Sequence, residues 1–588
     1  MNNRFLIRLL VPLLALVGVA ASAGASTGYL VVAPDRGFLG NEEVRDAFAP
    51  FAEDHPARLV FAAEPPAREA MNEALAALTS EGVDRLVVLP LFLSDAHPRL
   101  AATESVLAEI APAMEIARAR PFGASYLAVE VLRDRLRAAQ AGHGEETSQS
   151  GHEMGSTASN TGRGDLVVVG SGATSEAERA AMAEDLKLLA AWAAEGMGYR
   201  SVRAIVGGDL WSEAPEVERA FESELAVLPA DATVVPFDLG FKLDGMMQFS
   251  AGLRRQLPEE VTLAAGEVTP HPAVGLWLSR EASRHAPLAD QDLGVVFLAH
   301  GADWHWNETM RQAVASLAER YRLEFCFSMA DRDLVERALA RLEERGAKAA
   351  VVVRVFGLES SFRGTVEGML GLDVEGPDGL RPAPVADSGH MGGHGGHGGH
   401  GMMGSPERIR TALLTSTAGG LEDHELFAQA LLDRARELST DPERETLLIT
   451  AHGAGADADN DHWKGLLASI ASQMRDLGAE FADIETVTWR EDWPDKSEPE
   501  VVRAREIVER AAAEGGRVLV VPARTTGEGP ETRLLDGLPV AIGEGFAPHP
   551  LFARWVEEQI RTGVAALRQR STDPWVLERQ AQVPGLFP

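Results

Sequence analysis

Two apolar runs in this chain stop at the same pair of residues. Val295-Val296-Phe297-Leu298-Ala299 leads into His300-Gly301, and Leu447-Leu448-Ile449-Thr450-Ala451 leads into His452-Gly453. A third run, Leu89-Pro90-Leu91-Phe92-Leu93, is followed by Ser94-Asp95-Ala96-His97. A neutral imidazole at the end of a strand is a ligand for a borderline divalent cation, and a carboxylate beside it adds charge and a proton acceptor. Asp35 with His97, His300 with Glu359, and His452 with Glu528 each offer one imidazole and one carboxylate. Such pairs suit Co²⁺, Ni²⁺, Fe²⁺ or Zn²⁺, with water filling the other positions. The plain alternative is that each histidine only caps its loop. His271, His424 and His549 stand just ahead of helical patterns and are read as turn stabilisers.

A different arrangement lies in Gly389-His390-Met391-Gly392-Gly393-His394-Gly395-Gly396-His397-Gly398-Gly399-His400-Gly401-Met402-Met403. Four imidazoles separated by glycines can wrap an ion without steric cost, and the thioethers extend the range toward copper. His390, His394, His397 and His400 therefore form a second candidate ion-binding group, suited to capture or delivery. An inert glycine-rich linker is the alternative.

These residues need elements to hold them, and the chain supplies four copies of one unit. Apolar runs starting at Tyr29, Leu166, Val295 and Leu447 each meet a turn and then a helical pattern. A later marker, a short loop before an amphipathic helix, recurs at Ser125, His271, His424 and His549. Strands and helices alternate between the markers, which predicts right-handed βαβ crossovers and an α/β fold of parallel sheets. Ligands collect at the carboxyl ends of such strands, where the candidate residues lie. The expected organisation is a signal peptide over 1–25 and half-domains over 28–140 and 165–289 joined by a flexible linker over 141–164. Half-domains over 292–440 and 444–570 follow, the former carrying the His/Gly-rich insertion at about 385–405, with a tail over 571–588.

Arg4 and Arg8 precede an apolar run from Leu9 to Val19 and the small residues Ala20 to Ala25. This reads as a secretory signal peptide, too short to span a bilayer, so the mature chain is expected to be periplasmic or secreted with no membrane span after cleavage. The single cysteine, Cys326, excludes cysteine-built zinc sites and iron–sulfur clusters, and its alternating surroundings make it a small buried hydrophobe. A formal net charge of −33 argues against a nucleic-acid partner and concentrates cations.

At this point the motifs resemble a family, the class II chelatases and in particular the sirohydrochlorin cobalto- and ferrochelatases. Leu89 to His97 is similar to that family's strand-four signature, Arg120-Pro121-Phe122-Gly123 to its final loop, and the two Ala-His-Gly turns to its strand-one signature. The resemblance implies two tandem chelatase-like domains, each made of two half-domains. It also implies a divalent metal as cargo and a tetrapyrrole such as sirohydrochlorin as partner, with Arg99, Lys242 and Arg363 placed near the loops that would meet its carboxylates. The family pairs a histidine after strand one with another after strand four of the same half-domain. No unit here carries both: the first has Pro34 where the first histidine belongs, and the second has Ser171. A lyase inserting metal into the macrocycle is one reading, a non-catalytic periplasmic metal-binding protein another, and a tetrapyrrole carrier a third.

Overall fold

The computed structural model describes residues 26–63, 65–111, 114–147, 163–208, 214–240, 249–376, 379–383, 407–527 and 529–569. The expected signal peptide, most of the first linker, the His/Gly-rich tract with His390, His394, His397 and His400, the tail, Lys242 and Glu528 lie outside them.

Four sheets of four parallel strands form the framework. The first holds β1 (Thr27–Pro34), β2 (Ala57–Ala62), β3 (Arg85–Pro90) and β4 (Glu115–Arg118). The second holds β5 (Leu166–Ala173), β6 (Val202–Gly208), β7 (Thr233–Pro236) and β8 (Thr262–Leu263). The third is built of β9 (Leu293–Ala299), β10 (Arg322–Phe327), β11 (Ala349–Val355) and, beyond the antiparallel hairpin of β12 (Glu375–Gly376) and β13 (Gly379–Leu380), β14 (Leu414–Gly419). The fourth holds β15 (Glu445–Ala451), β16 (Asp483–Thr488), β17 (Arg517–Pro522) and β18 (Val540–Ile542).

Each sheet has the spatial order second, first, third, fourth, so the chain reverses direction across the sheet between its first and third strands. That switch point opens a crevice at the carboxyl ends of those two strands. The run ending near His97 follows the third strand of its unit in chain order, not the fourth as its likeness to the strand-four signature suggested.

Central strands buried on both faces need unbroken apolar sequence, which explains runs such as Leu166-Val167-Val168-Val169, all fully buried. Alternate residues serve different cores. Val31, Val87 and Leu89 join Leu166, Val168 and Val235 in one core shared by units one and two, while Leu30, Val32, Leu86 and Val88 face a core private to unit one. Units three and four repeat the scheme, sharing a core built on Val295, Phe297, Leu447 and Ile449. Each such side chain contributes about 1.5–3 kcal/mol by leaving water. The shared cores pair the units into two domains, each with two sheets. Cys326 is buried in β10, with Sγ 3.3 Å from Ser328 Oγ.

The last helix of each unit packs across its partner. Helix Tyr126–Thr147 crosses helix Ala273–His285 in the first domain, and helix Glu425–Leu438 crosses helix Pro550–Gln569 in the second.

A buried ionic layer joins the domains. Glu375 in β12 meets Arg284 Nη2 at 2.8 Å and Arg120 Nη2 at 3.4 Å, and Arg280 Nη1 donates to the Leu413 carbonyl at 2.7 Å. Arg408 and Glu130, both wholly buried, approach to 3.1 Å. Arg410 pairs with Asp134 at 2.6 Å, and Trp192 Nε1 donates to the Arg381 carbonyl. Burial alone would raise the pKa of Glu375, but Arg280, Arg284 and Arg120 overcome it and hold the carboxyl at about 2. A charge this deep is tolerated only because it is paired.

Candidate metal centres at the strand ends

In the first domain the turn after β1 is built by its own polar side chains. Asp35 Oδ1 accepts from Gly37 N at 3.0 Å and from Asn41 Nδ2 at 2.9 Å, while Asn41 Oδ1 accepts from Arg36 N at 2.9 Å. Asp35 is therefore committed to turn geometry. His97 caps helix Pro98–Ile110, its Nδ1 accepting from Arg99 N at 3.3 Å, and its ring stands edge-on to Phe92 with centroids 4.9 Å apart. Its Nε2 edge leans across the unit boundary onto Gly172, where a Cβ would come within 2.5 Å of the nitrogen. Gly172, at φ +114°, is thus required both by the backbone and by the close approach. Arg99 Nη1 donates to the Asp35 carbonyl at 3.4 Å, bracing the turn.

The group at the centre of this crevice is Arg36. Only 4% exposed, it crosses from unit one into unit two, where Nη1 lies 3.0 Å from Asp238 Oδ2 and 3.3 Å from Ser171 Oγ. Ser171 in turn donates to Asp238. A cavity of about 20 Å³ beside them is lined by Pro34, Phe92, Ser94, His97, Ser171 and Asp238, among others.

The second domain differs. His300 is exposed, with Nδ1 2.6 Å from the Gly301 carbonyl. Glu359, its expected partner, is matched instead with Arg363, whose Nη1 donates at 2.6 Å, and with Arg354 at 3.6 Å. Arg363 also donates to Glu367 at 2.9 Å, so it and Glu359 largely neutralise each other. Phe362 holds the helix-start position, seven residues past the third strand, that His97 holds in unit one.

His452 has company that the sequence reading missed. Its Nδ1 lies 2.9 Å from the Gly453 carbonyl, and its Nε2 lies 3.1 Å from Asp492 Oδ2 and 3.5 Å from Glu491 Oε1. Both ring nitrogens face acceptors, and a neutral ring has a proton for only one of them. A second positive partner, a proton or a metal ion, completes the arrangement. Glu491 is also engaged by Arg524. Among the described residues no three His, Cys, Asp or Glu side chains converge to hold an ion. His452 and Asp492 are thus a pair of potential donors and no more among the described residues.

The repeat also carries a clamp. Asn41, Asn307 and Asn460 each accept from a backbone N–H in the turn after the unit's first strand, and Glu178 does so in unit two by accepting from Thr174 N at 2.9 Å. A polar residue recurring near the seventh position after each marker was the available sequence signal. His271, His424 and His549 cap their helices through Nδ1, accepting at 3.1, 3.2 and 3.3 Å. Their Nε2 atoms face Asp134 at 3.2 Å, Glu558 at 3.3 Å and Asp433 at 3.7 Å on the crossing helices. They fasten one unit to the other.

The CbiX family model matches residues 39–139 and 294–369, within the first unit of each domain. The comparison with curated proteins found no match. Among solved structures, the chain is similar to a multi-domain protein of Deinococcus radiodurans described as structurally similar to chelatases with two additional novel domains. The two are 18% identical over 45% of this chain and 54% of that one, with a TM-score of 0.29. This chain thus spans about half the length of that protein. The CbiX family model thus recurs in the first unit of both domains, over sheets that share one strand order, and the chain is similar to that chelatase family across those two segments.

Proposed function

We propose that this chain binds a divalent metal ion, cobalt, nickel or iron, through His452 and Asp492 in the second domain, as a metal-handling protein that has kept the chelatase fold. The observation that carries the reading is the His452 ring, whose two nitrogens both face acceptors, one of them a carboxylate 3.1 Å away. A borderline cation at Nε2 gives that edge a positive partner. The four histidines of the His/Gly-rich tract add a second store from which ions pass to the folded centre. Export by the N-terminal segment, expected from its sequence, places this work in a periplasm or outside the cell.

The second reading is insertion of the ion into a tetrapyrrole such as sirohydrochlorin. It is favoured by the CbiX match in both domains and by Trp304, 66% exposed just beyond His300, which offers a ring face to a planar macrocycle. Such an insertion needs a carboxylate to take the pyrrole protons, a role open to Asp492.

Equilibrium dialysis with Co²⁺ tests the first reading. His452→Ala and Asp492→Asn should each remove one ion per chain beyond those held by the tract, and unchanged stoichiometry in both would sink it. Incubation with Co²⁺ and sirohydrochlorin, followed by absorption, separates the readings. A rate above the uncatalysed one that is lost in His452→Ala establishes insertion.

A further inference from the structure

In the first domain the position of the ion is already taken. Val169 pairs with Pro236 as Thr450 pairs with Pro522, so Ser171, within β5, holds the register position of His452, and Asp238 stands two residues beyond β7 just as Arg524 stands two beyond β17. Compared with unit four, unit two has a hydroxyl in place of the imidazole and a carboxylate in place of the guanidinium, and the balancing charge arrives from unit one. That charge is Arg36, almost fully buried, 3.0 Å from Asp238 and 3.3 Å from Ser171. The cavity beside them holds about 20 Å³, room for roughly one water. His97 borders the same cavity, with its Nε2 edge on Gly172.

We propose that Arg36 is a built-in cation that fills the first domain's divalent-ion position and shuts it, and that Asp238, His97 and Ser171 are a latent ion site beneath it. A guanidinium held by a carboxylate and a hydroxyl supplies the charge that an ion would supply. It also ties the two units together across the crevice, so this domain is a fixed scaffold while ion traffic belongs to the other. Withdrawal of the guanidinium leaves a carboxylate and a hydroxyl beside the cavity, and a His97 ring that gives up its Nδ1 cap for the other tautomer adds Nε2, a donor set for Co²⁺ or Zn²⁺. The proposal rests on the reading of these strand ends as ion-handling positions.

The test is Co²⁺ stoichiometry of the full chain by equilibrium dialysis, with circular dichroism confirming the fold. Arg36→Ala should bind one more ion per chain than the parent, and Arg36→Ala combined with Asp238→Asn or with His97→Ala should lose that gain. Arg36→Lys, which keeps the charge, should bind the parental number. If Arg36→Ala does not fold, Arg36→Gln serves in its place with the same expected gain. A folded, neutral variant at this position that binds only the parental number overturns the proposal. If the parent binds no ion in either folded domain yet the variant gains one, the metal-binding reading of His452 fails and the latent site stands.

Discussion

The two domains share a strand order and differ in how their crevices are held. In the first, a guanidinium bonded to a carboxylate closes the gap between units, and among the described residues no side chain other than glycine takes a positive φ. In the second, four do so: Ala330, Phe362, Glu422 and Arg490, at φ between 47° and 58°. Each follows the carboxyl end of a strand, β10, β11, β14 or β16 in turn. A left-handed conformation costs a residue with a Cβ about 1–2 kcal/mol, and it persists only where the surroundings impose it. One domain closes its crevice with a buried ion pair. The other keeps strained loops, with His300 exposed and His452 half-buried at its strand ends.

The contrast can be broken or sharpened by experiment, beginning with the contact that makes the two domains one body. Arg408→Ala takes from the buried Glu130 its nearest partner, leaving Arg410 at 3.8 Å and Arg133 at 4.0 Å, and should cost about 2–4 kcal/mol in chemical denaturation, with the domains separating in small-angle scattering. A loss below about 1 kcal/mol would show that the ionic layer does not join them. Acid should act on the same layer. The carboxyl of Glu375, held at about 2 against an ordinary 4.5, gives stability that is complete above pH about 4.5 and is lost as pH falls toward 2. The amount is about 3 kcal/mol, and Glu375→Gln should flatten that part of the stability-against-pH curve.

Within the first domain, Asp238→Ala strands a buried Arg36 and should cost about 2–4 kcal/mol. The matching change in the second domain, Arg524→Ala, breaks a pair whose partners are 22% and 20% exposed, and should cost about half as much. Equal losses in thermal melts would erase the distinction between joint and site. The smallest effect is expected from Ala330→Gly, which relieves the positive φ and should raise stability by about 0.5–1 kcal/mol. Ala190→Gly, in helix Glu176–Ala194, should instead lower it by about 1–2 kcal/mol, since a buried methyl is lost along with helix propensity.

The framework was legible because parallel strands buried on both faces must be apolar along their whole length, as at Leu166–Val169 and Leu447–Ala451. The recurrence of turn and helix markers then gave the number of units. The site was less legible, because its partners were chosen by position within one unit. Packing brings Arg36 of one unit to Asp238 of the next, and no local pattern announces a contact so distant in sequence. Asp35 was read as a ligand because it stands beside Pro34, yet an aspartate followed by Arg-Gly and then Asn41 is also what a turn needs. Glu359 looked available only while Arg363, one helical turn away, was counted separately as a substrate-binding residue. Asp492 escaped because it lies after the second strand, where no marker had been sought. Glu375 and Arg408 are buried only because the domains meet on them, and nothing in their local sequence marks that burial.

The segments on either side of the His/Gly-rich tract, 379–383 and 407–413, are both fastened to the first domain, although β14, which follows, belongs to the third sheet. A protease nick between them would therefore release neither end. The sheet pairing of β11 with β14 and the buried arginines would hold the fragments together. Such a port tolerates lengthening, shortening or exchange of what it carries, so the number of histidines can change without the rest of the molecule having to readjust.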